Sequence, residues 1–165
     1  MSMFSPDIIT LATQVLDAAR ARGLHLATAE SCTGGLIMGA LTEIAGSSDV
    51  VDRAFVTYTN RAKREMLGVP GDVIRQQGAV SEACARAMAT GGLKASAASL
   101  TLSVTGIAGP GGGSEDKPVG LVHMACAVRD GTMLHEKHLF GDVGRDQVRE
   151  ATVVAGLKLI LRAMG

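Results

Sequence analysis

A short apolar run, Leu24 to Ala27, stops at Thr28-Ala-Glu-Ser-Cys-Thr-Gly-Gly35, and an amphipathic run (Leu36, Ile37, Ala40, Leu41, Ile44) begins directly after it. This junction constrains the fold more than any other stretch. A strand feeding a helix through a turn of small polar residues is the start of a crossover unit, which leads to a parallel neighbour. The turn also gathers a hydroxyl, a thiol and several backbone N–H groups at a helix N-terminus. Such an end carries unpaired donors and roughly half a positive charge, so it stabilises an anion or a developing oxyanion. Ser31 and Cys32 are therefore candidate nucleophiles. The alternative is that Thr28 to Thr33 only cap the helix.

The rest of the chain repeats the strand–helix pattern. Met1 to Arg22 reads as a helix, with Ser5 before Pro6 at its start and one stripe of Ile8, Leu11, Ala12, Val15, Leu16 and Ala19. Leu24 to Thr28 is the first strand, and the helix after the junction should end near Gly46. Ala54 to Thr59 alternates as a second strand and runs into a helix start at Asn60, closed by Leu67-Gly68. Ser81 caps a longer helix whose Ala85, Met88, Ala89 and Leu93 face inward. Ser99 to Thr105 alternates cleanly as a strand. Val119 to Arg129 and Thr132 to Phe140 flank Asp130-Gly131, a hairpin signal. A last helix covers Gly144 to Ala163. Strands alternating with helices predict a mainly parallel sheet covered on both faces, made mixed by the hairpin.

In such sheets ligands collect beyond the carboxyl ends of the strands. Three unusual stretches fall there: Glu30 to Gly35, Tyr58 to Lys63, and Thr105 to Gly113. In the second, Arg61, Lys63 and Arg64 crowd the start of a helix for which Asn60 is a candidate cap. Cations there oppose the helix dipole. A bound phosphate would compensate; alternatively the dipole and arginines lower the Lys63 pKa until it serves as a base; a solvated basic helix end is the third reading. Tyr58 could hydrogen-bond a nucleophile or stack on a substrate ring, or simply sit at an edge in water. The third stretch, Gly106 to Lys117, is long and glycine-rich, and its backbone can approach a ligand closely. It holds neither a Walker motif nor Gly-x-Gly-x-x-Gly, since Ser114 stands at the third position. Ser114-Glu-Asp-Lys117 is a chance match to Ser-x-x-Lys, because Pro118 opposes a helix there. Arg145 and Arg149, one helical turn apart, could hold a phosphate or carboxylate; for Arg149 a surface pair with Asp146 or Glu150 is the favoured reading.

Composition excludes several classes. The chain has 165 residues, enough for one domain with a real core, and a formal net charge of zero, which argues against a nucleic-acid partner. No apolar run spans a bilayer, and no secretory signal opens the chain, so neither a membrane nor a secreted setting is expected. Cys32, Cys84 and Cys126 are odd in number and widely spaced, without a disulfide or zinc pattern; a reducing cytoplasm follows as the default. Within strands, His135 and His138 diverge, as do His123 and Cys126. No metal site is expected, and no histidine falls in the three strand-end stretches to form a triad.

Thr28 to Gly35, Tyr58-Thr-Asn-Arg-Ala-Lys63, Gly78-Ala-Val-Ser-Glu82, Thr105-Gly-Ile-Ala-Gly-Pro110 and Lys117-Pro-Val-Gly120 stand together in an order and spacing that resembles the CinA C-terminal domain family, whose stand-alone members are nicotinamide-nucleotide amidohydrolases. The match covers Leu11 to Leu161. The resemblance implies a three-layer α/β/α sandwich with a mixed five-stranded sheet, as one domain over residues 1–165. Lacking the N-terminal molybdopterin-cofactor-like domain of two-domain members, the chain should also lack that domain's pyrophosphatase activity. The implied activity is hydrolysis of the carboxamide of nicotinamide mononucleotide to nicotinate mononucleotide and ammonia, in pyridine nucleotide recycling. No cofactor or metal is implied. Ser31 would be the nucleophile, with Lys63 and Tyr58 handling protons. The matched motifs place Glu30, Cys32, Thr33, Gly34, Gly35, Asn60, Arg61, Thr105, Gly106 and Gly109 around the substrate, with Arg145. Backbone N–H groups near Cys32 to Gly34 would receive the oxyanion.

Two other readings stay open at this point. The same pocket could bind a nucleotide without chemistry, as a sensor or a competence- or damage-related partner module, or Cys32 could be the nucleophile. High apolar content and an uncovered hairpin edge also predict a homo-oligomer, most simply a dimer.

Overall fold

The computed structural model describes residues 1–165. The elements, in chain order, are α1 (Pro6–Ala21), β1 (Leu26–Glu30), α2 (Leu36–Thr42), a 3-10 turn (Ser47–Asp49), β2 (Val51–Val56), α3 (Asn60–Leu67), α4 (Gly71–Gln77), α5 (Glu82–Lys94), β3 (Leu100–Gly106), β4 (Leu121–Val128), β5 (Met133–Leu139) and α6 (Arg145–Met164). The five strands form one mixed sheet in the order β2-β1-β3-β4-β5. β1 lies parallel to both β2 and β3, while β3, β4 and β5 run antiparallel. The α/β sandwich with a mixed five-stranded sheet is thus as the sequence predicts.

Each central strand is buried on both faces, and alternation decides which layer a side chain enters. Leu26 of β1, Leu100, Leu102 and Val104 of β3, and Val122, Met124 and Cys126 of β4 join the main core beneath α1, α2 and α6. The intervening residues are small: Ala29, Thr101, Ser103, Ala125 and Ala127 meet α5. That face works only because α5 is also stripped of bulk. A Cβ on Gly92 would lie 2.6 Å from Thr101 Cγ2, and one on Gly91 would lie 1.9 Å from the Leu67 carbonyl oxygen. The backbone of α5 therefore packs directly on the Leu67 carbonyl at the end of α3 and on the Thr101 side chain of the sheet.

Several boundaries differ from expectation, each for a tertiary reason. β1 extends to Glu30 because it pairs on both sides, Glu30 standing opposite Val56 and Val104. α2 stops at Thr42, and a 3-10 turn carries the chain into β2. β2 is Val51–Val56, earlier than the alternation at 54–59 suggests, since register with β1 places it there. The residue capping α3 is Thr59, not Asn60: its hydroxyl accepts from the Ala62 N–H at 3.0 Å. α4, led by Pro70, is a helix the sequence reading did not contain. Ser81 does cap α5, accepting from the Cys84 N–H, and Pro6 does open α1.

Candidate active site

β1 and β3 run parallel, so their carboxyl ends, and the segment after β2, emerge at one edge of the sheet. There Ser31, Cys32, Tyr58, Asn60, Lys63, Thr105, Gly106, Gly109 and Arg145 line a cavity of about 270 Å³. The three stretches singled out in the sequence meet in it. Ala79 and Val80, ahead of α5, complete the wall. The Thr105 hydroxyl fastens that segment by donating to Ala79 O at 2.9 Å.

At the floor, Lys63 Nζ lies 2.8 Å from Ser31 Oγ. It also faces the carbonyl oxygens of Thr57 at 3.0 Å and Tyr58 at 3.3 Å. Lys63 is only 1% exposed, the largest polar side chain in the interior. Burial pushes its amine below the ordinary lysine range, and Cys84 and Cys32 oppose that only in part. A neutral amine has two hydrogens and one lone pair. The two carbonyls match the hydrogens, and the lone pair is left for the Ser31 hydroxyl. The shift comes from desolvation, not from neighbouring arginines: Arg61 sits outside the cavity and pairs with Glu65.

Glu30 is where the structure departs most from the sequence reading. Its carboxyl group, 1% exposed, accepts four hydrogen bonds: from the Thr28 and Thr33 hydroxyls at 2.9 and 2.7 Å, and from the Ile37 and Met38 N–H groups at 2.9 and 3.0 Å. The start of α2, expected to hold a substrate anion, is already filled by the protein's own side chain. Glu30 and Thr33 are thus anchors of the turn and do not line the cavity, nor do Gly34 and Gly35. The two glycines supply positive φ, 58° and 101°, where the chain reverses into α2. Gly34 N–H is also engaged, bonding Ser31 O at 3.0 Å. Of the N–H groups expected to receive an oxyanion, that of Cys32 alone both borders the cavity and bonds to no other residue, touching only its own thiol.

Tyr58 is half exposed, and its hydroxyl meets Arg145 Nη2 at 2.8 Å rather than Ser31 or Lys63. Arg145 reaches on to Gly109 O at 2.9 Å. Arg149 makes no pair with Asp146 or Glu150; its Nε and Nη2 donate to Cys32 O and Thr33 O at 3.1 and 3.2 Å. Cys32 is buried, and burial above all pushes its thiol up to about 11. Across β4 and β5, His123 Nδ1 and His135 Nε2 meet at 2.9 Å, a contact that in-strand spacing could not reveal. No three His, Cys, Asp or Glu groups converge as metal ligands.

A mixed-sheet α/β sandwich with a buried serine–lysine pair at the strand ends defines a class of protein, and the comparisons make it specific. The chain belongs to the CinA C-terminal domain family, whose model matches residues 8–164. It is similar to the nicotinamide-nucleotide amidohydrolase PncC of Escherichia coli K12, with 45% identity over 96% of this chain and 95% of that protein. A CinA-like protein of Geobacter sulfurreducens is 46% identical over 94% of this chain, but the match takes in only 37% of that longer protein. The chain thus spans little more than a third of some relatives and nearly the whole of others. Among solved structures, the competence/damage inducible protein CihA of Agrobacterium tumefaciens superimposes with a TM-score of 0.98 at 55% identity, covering 99% of both chains. A CinA superfamily protein of Klebsiella pneumoniae gives 0.90 at 34% identity, over 95% of this chain and 97% of that one.

Proposed function

We propose that this chain, as one amidohydrolase domain, hydrolyses the carboxamide of nicotinamide mononucleotide to nicotinate mononucleotide and ammonia, a step in pyridine nucleotide recycling. The observation that carries the mechanism is the 2.8 Å contact between Ser31 Oγ and a buried Lys63 Nζ. The relatives matched over nearly their whole length, named nicotinamide-nucleotide amidohydrolases, support the substrate.

Serine is a weak nucleophile until a base takes its proton. Neutral Lys63 takes that proton as Oγ adds to the carboxamide carbon. The carbonyl oxygen becomes an oxyanion that the Cys32 N–H meets. Lys63 then returns the proton to the departing nitrogen, ammonia leaves, and an ester on Ser31 remains. Water, deprotonated by Lys63, cleaves the ester and frees the carboxylate product. Cys32 is a poorer candidate nucleophile, since its thiol is held at about 11 and supplies little thiolate at neutral pH. Tyr58 serves the proton path through its carbonyl, which orients Lys63, while its hydroxyl works with Arg145. Asn60, Arg145, Thr105, Gly106 and Gly109 contact the nucleotide. No cofactor, nucleic acid or membrane takes part.

Three buried, unpaired cysteines suit a cytoplasmic setting. A homo-oligomer is supported by the unpaired outer edge of β5 and the exposed Leu139 and Val143 beside it. The primary test is direct: purified protein incubated with nicotinamide mononucleotide releases one ammonia per nicotinate mononucleotide formed. Binding without ammonia release would leave a nucleotide sensor instead.

A further inference from the structure

Arg149 lies outside the cavity lining, yet its guanidinium is fastened to the main chain of the Ser31 turn. Peptide groups are planar and trans, so a carbonyl and the N–H of the next residue point in opposite directions. Thr33 O points at Arg149 Nη2, 3.2 Å away. The Gly34 N–H therefore points away from Arg149, and it meets Ser31 O at 3.0 Å. Ser31 O is thereby held inside the turn, which directs the Cys32 N–H outward. That N–H bonds to no other residue, its one contact being the thiol of Cys32 itself, and Cys32 borders the cavity beside Ser31. The result is one continuous relay: guanidinium, the Thr33–Gly34 peptide, the Ser31–Cys32 peptide, and an open donor.

We propose that Arg149 is a positioning residue for amide hydrolysis, fixing and polarising the Cys32 N–H as the oxyanion donor through these two peptide groups. The inference rests on the amidase reading above. Hydrogen bonds in a chain polarise one another, and a charged donor at the head strengthens each bond after it. The amide following a nucleophile is well placed to reach the oxyanion, because the two are joined by few bonds. The second contact, Nε to Cys32 O, keeps the turn from rotating about the first. It also directs the Thr33 N–H away from Arg149, but Thr33 is fully buried and offers the substrate no donor.

A residue acting through an oxyanion donor changes the transition state and leaves ground-state binding alone. Removing such a donor outright costs about 10²- to 10³-fold, so loosening it should cost about 10- to 100-fold. Three variants, Arg149→Lys, Arg149→Met and Arg149→Ala, are compared with the wild type on nicotinamide mononucleotide. Arg149→Met is expected to lose about 10- to 100-fold in kcat with KM within about threefold. Arg149→Lys should fall between, since an ammonium lacks the fork that spans two carbonyls. Added methylguanidinium should restore part of the kcat of Arg149→Ala.

A second readout needs no nucleotide. A fluorophosphonate labels Ser31: Oγ bonds to phosphorus, fluoride leaves, Lys63 takes the serine proton, and the phosphoryl oxygen seeks the same donor. Labelling, followed by intact mass, should slow in parallel with kcat, while affinity for nicotinate mononucleotide is unchanged. Unaltered kcat and labelling in a folded Arg149→Met or Arg149→Lys protein would overturn the proposal. So would an equal loss of product affinity, which marks general collapse of the site. If the wild type released no ammonia but its labelling still depended on Arg149, the substrate reading would fail and the positioning role would stand.

Discussion

Ser31 and Cys32 are adjacent, but the structure gives them unequal surroundings. Ser31 Oγ touches a buried amine, whereas the Cys32 thiol is held up by burial with no base bonded to it. Ser31→Ala should therefore lower turnover by ~10³-fold or more, about 4 kcal/mol of transition-state stabilisation. Cys32→Ala should stay within roughly tenfold. The two variants, assayed side by side with folding checked by circular dichroism, decide the nucleophile; an active Ser31→Ala beside a dead Cys32→Ala reverses it. Lys63 sets a pH dependence of definite sign. Burial favours the neutral amine, and only the neutral amine accepts the serine proton. The kcat/KM profile should rise with pH through an apparent pKa below the usual lysine value of about 10.4, then level off. A limb at or above that value would mean that burial does not activate Lys63. The same shift acts on stability. Between the lowered folded value and the ordinary unfolded one, the unfolded chain binds the extra proton, so stability rises with pH through that window.

At the scale of elements, α5 and α6 hold the site from opposite faces of the sheet. α5 does so by close approach. Replacing Gly91 with alanine gains about 1 kcal/mol in helix propensity, but puts a methyl 1.9 Å from the Leu67 carbonyl oxygen. That oxygen is backbone, so α5 must move off the end of α3, the helix that carries Lys63. Overpacking of this kind costs roughly 1–3 kcal/mol and sometimes more. The net expectation for Gly91→Ala is a destabilisation of about 2 kcal/mol, visible as a lowered urea midpoint. A midpoint equal to or above the wild type's would show that α5 has room to shift. α6 contributes two arginines one turn apart: Arg145 ties the glycine loop to Tyr58, and Arg149 ties down the Ser31 turn. One helix start thus braces all three strand-end stretches.

For the whole molecule the question is what the cavity selects. The basic start of α3, which the sequence offers as a phosphate site, stands apart from the cavity: Arg61 and Arg64 border a separate depression, and Arg61 pairs with Glu65. Arg145 is the guanidinium that lines the cavity, and two of its five N–H donors are committed to Gly109 O and the Tyr58 hydroxyl. A phosphate bonded by the rest is worth about 1.5–3 kcal/mol. Turnover of nicotinamide mononucleotide should exceed that of free nicotinamide by at least 10- to 100-fold in kcat/KM, on the order expected from that bond. Equal rates would remove the phosphate from the recognition scheme. The open β5 edge bears on assembly, and light scattering at micromolar concentration is expected to return the mass of a dimer or larger. A mass of one chain, near 16.9 kDa, would reject it.

Local pattern determined much of this protein. Alternation, capping residues and Asp130-Gly131 mark out all five strands, the second of them displaced by three residues, and most helices, because strand and helix periods and turn chemistry are properties of neighbouring residues. The rule that parallel strands open toward ligands brings Ser31, Lys63, Thr105 and Gly109 to one edge from sequence alone. Tertiary structure decided the rest. Whether Glu30 faces substrate or the start of α2 depends on the distance and direction of a helix seven residues away, and four donors converge on its carboxyl group only in the folded chain. Whether Arg149 pairs with its own helix or with a turn more than a hundred residues earlier depends on how α6 packs. The amine of Lys63 is held below the ordinary lysine range by burial, which no run of sequence displays. Periodicity is written locally, but desolvation and hydrogen-bond partners are set by whichever distant segments the fold brings together.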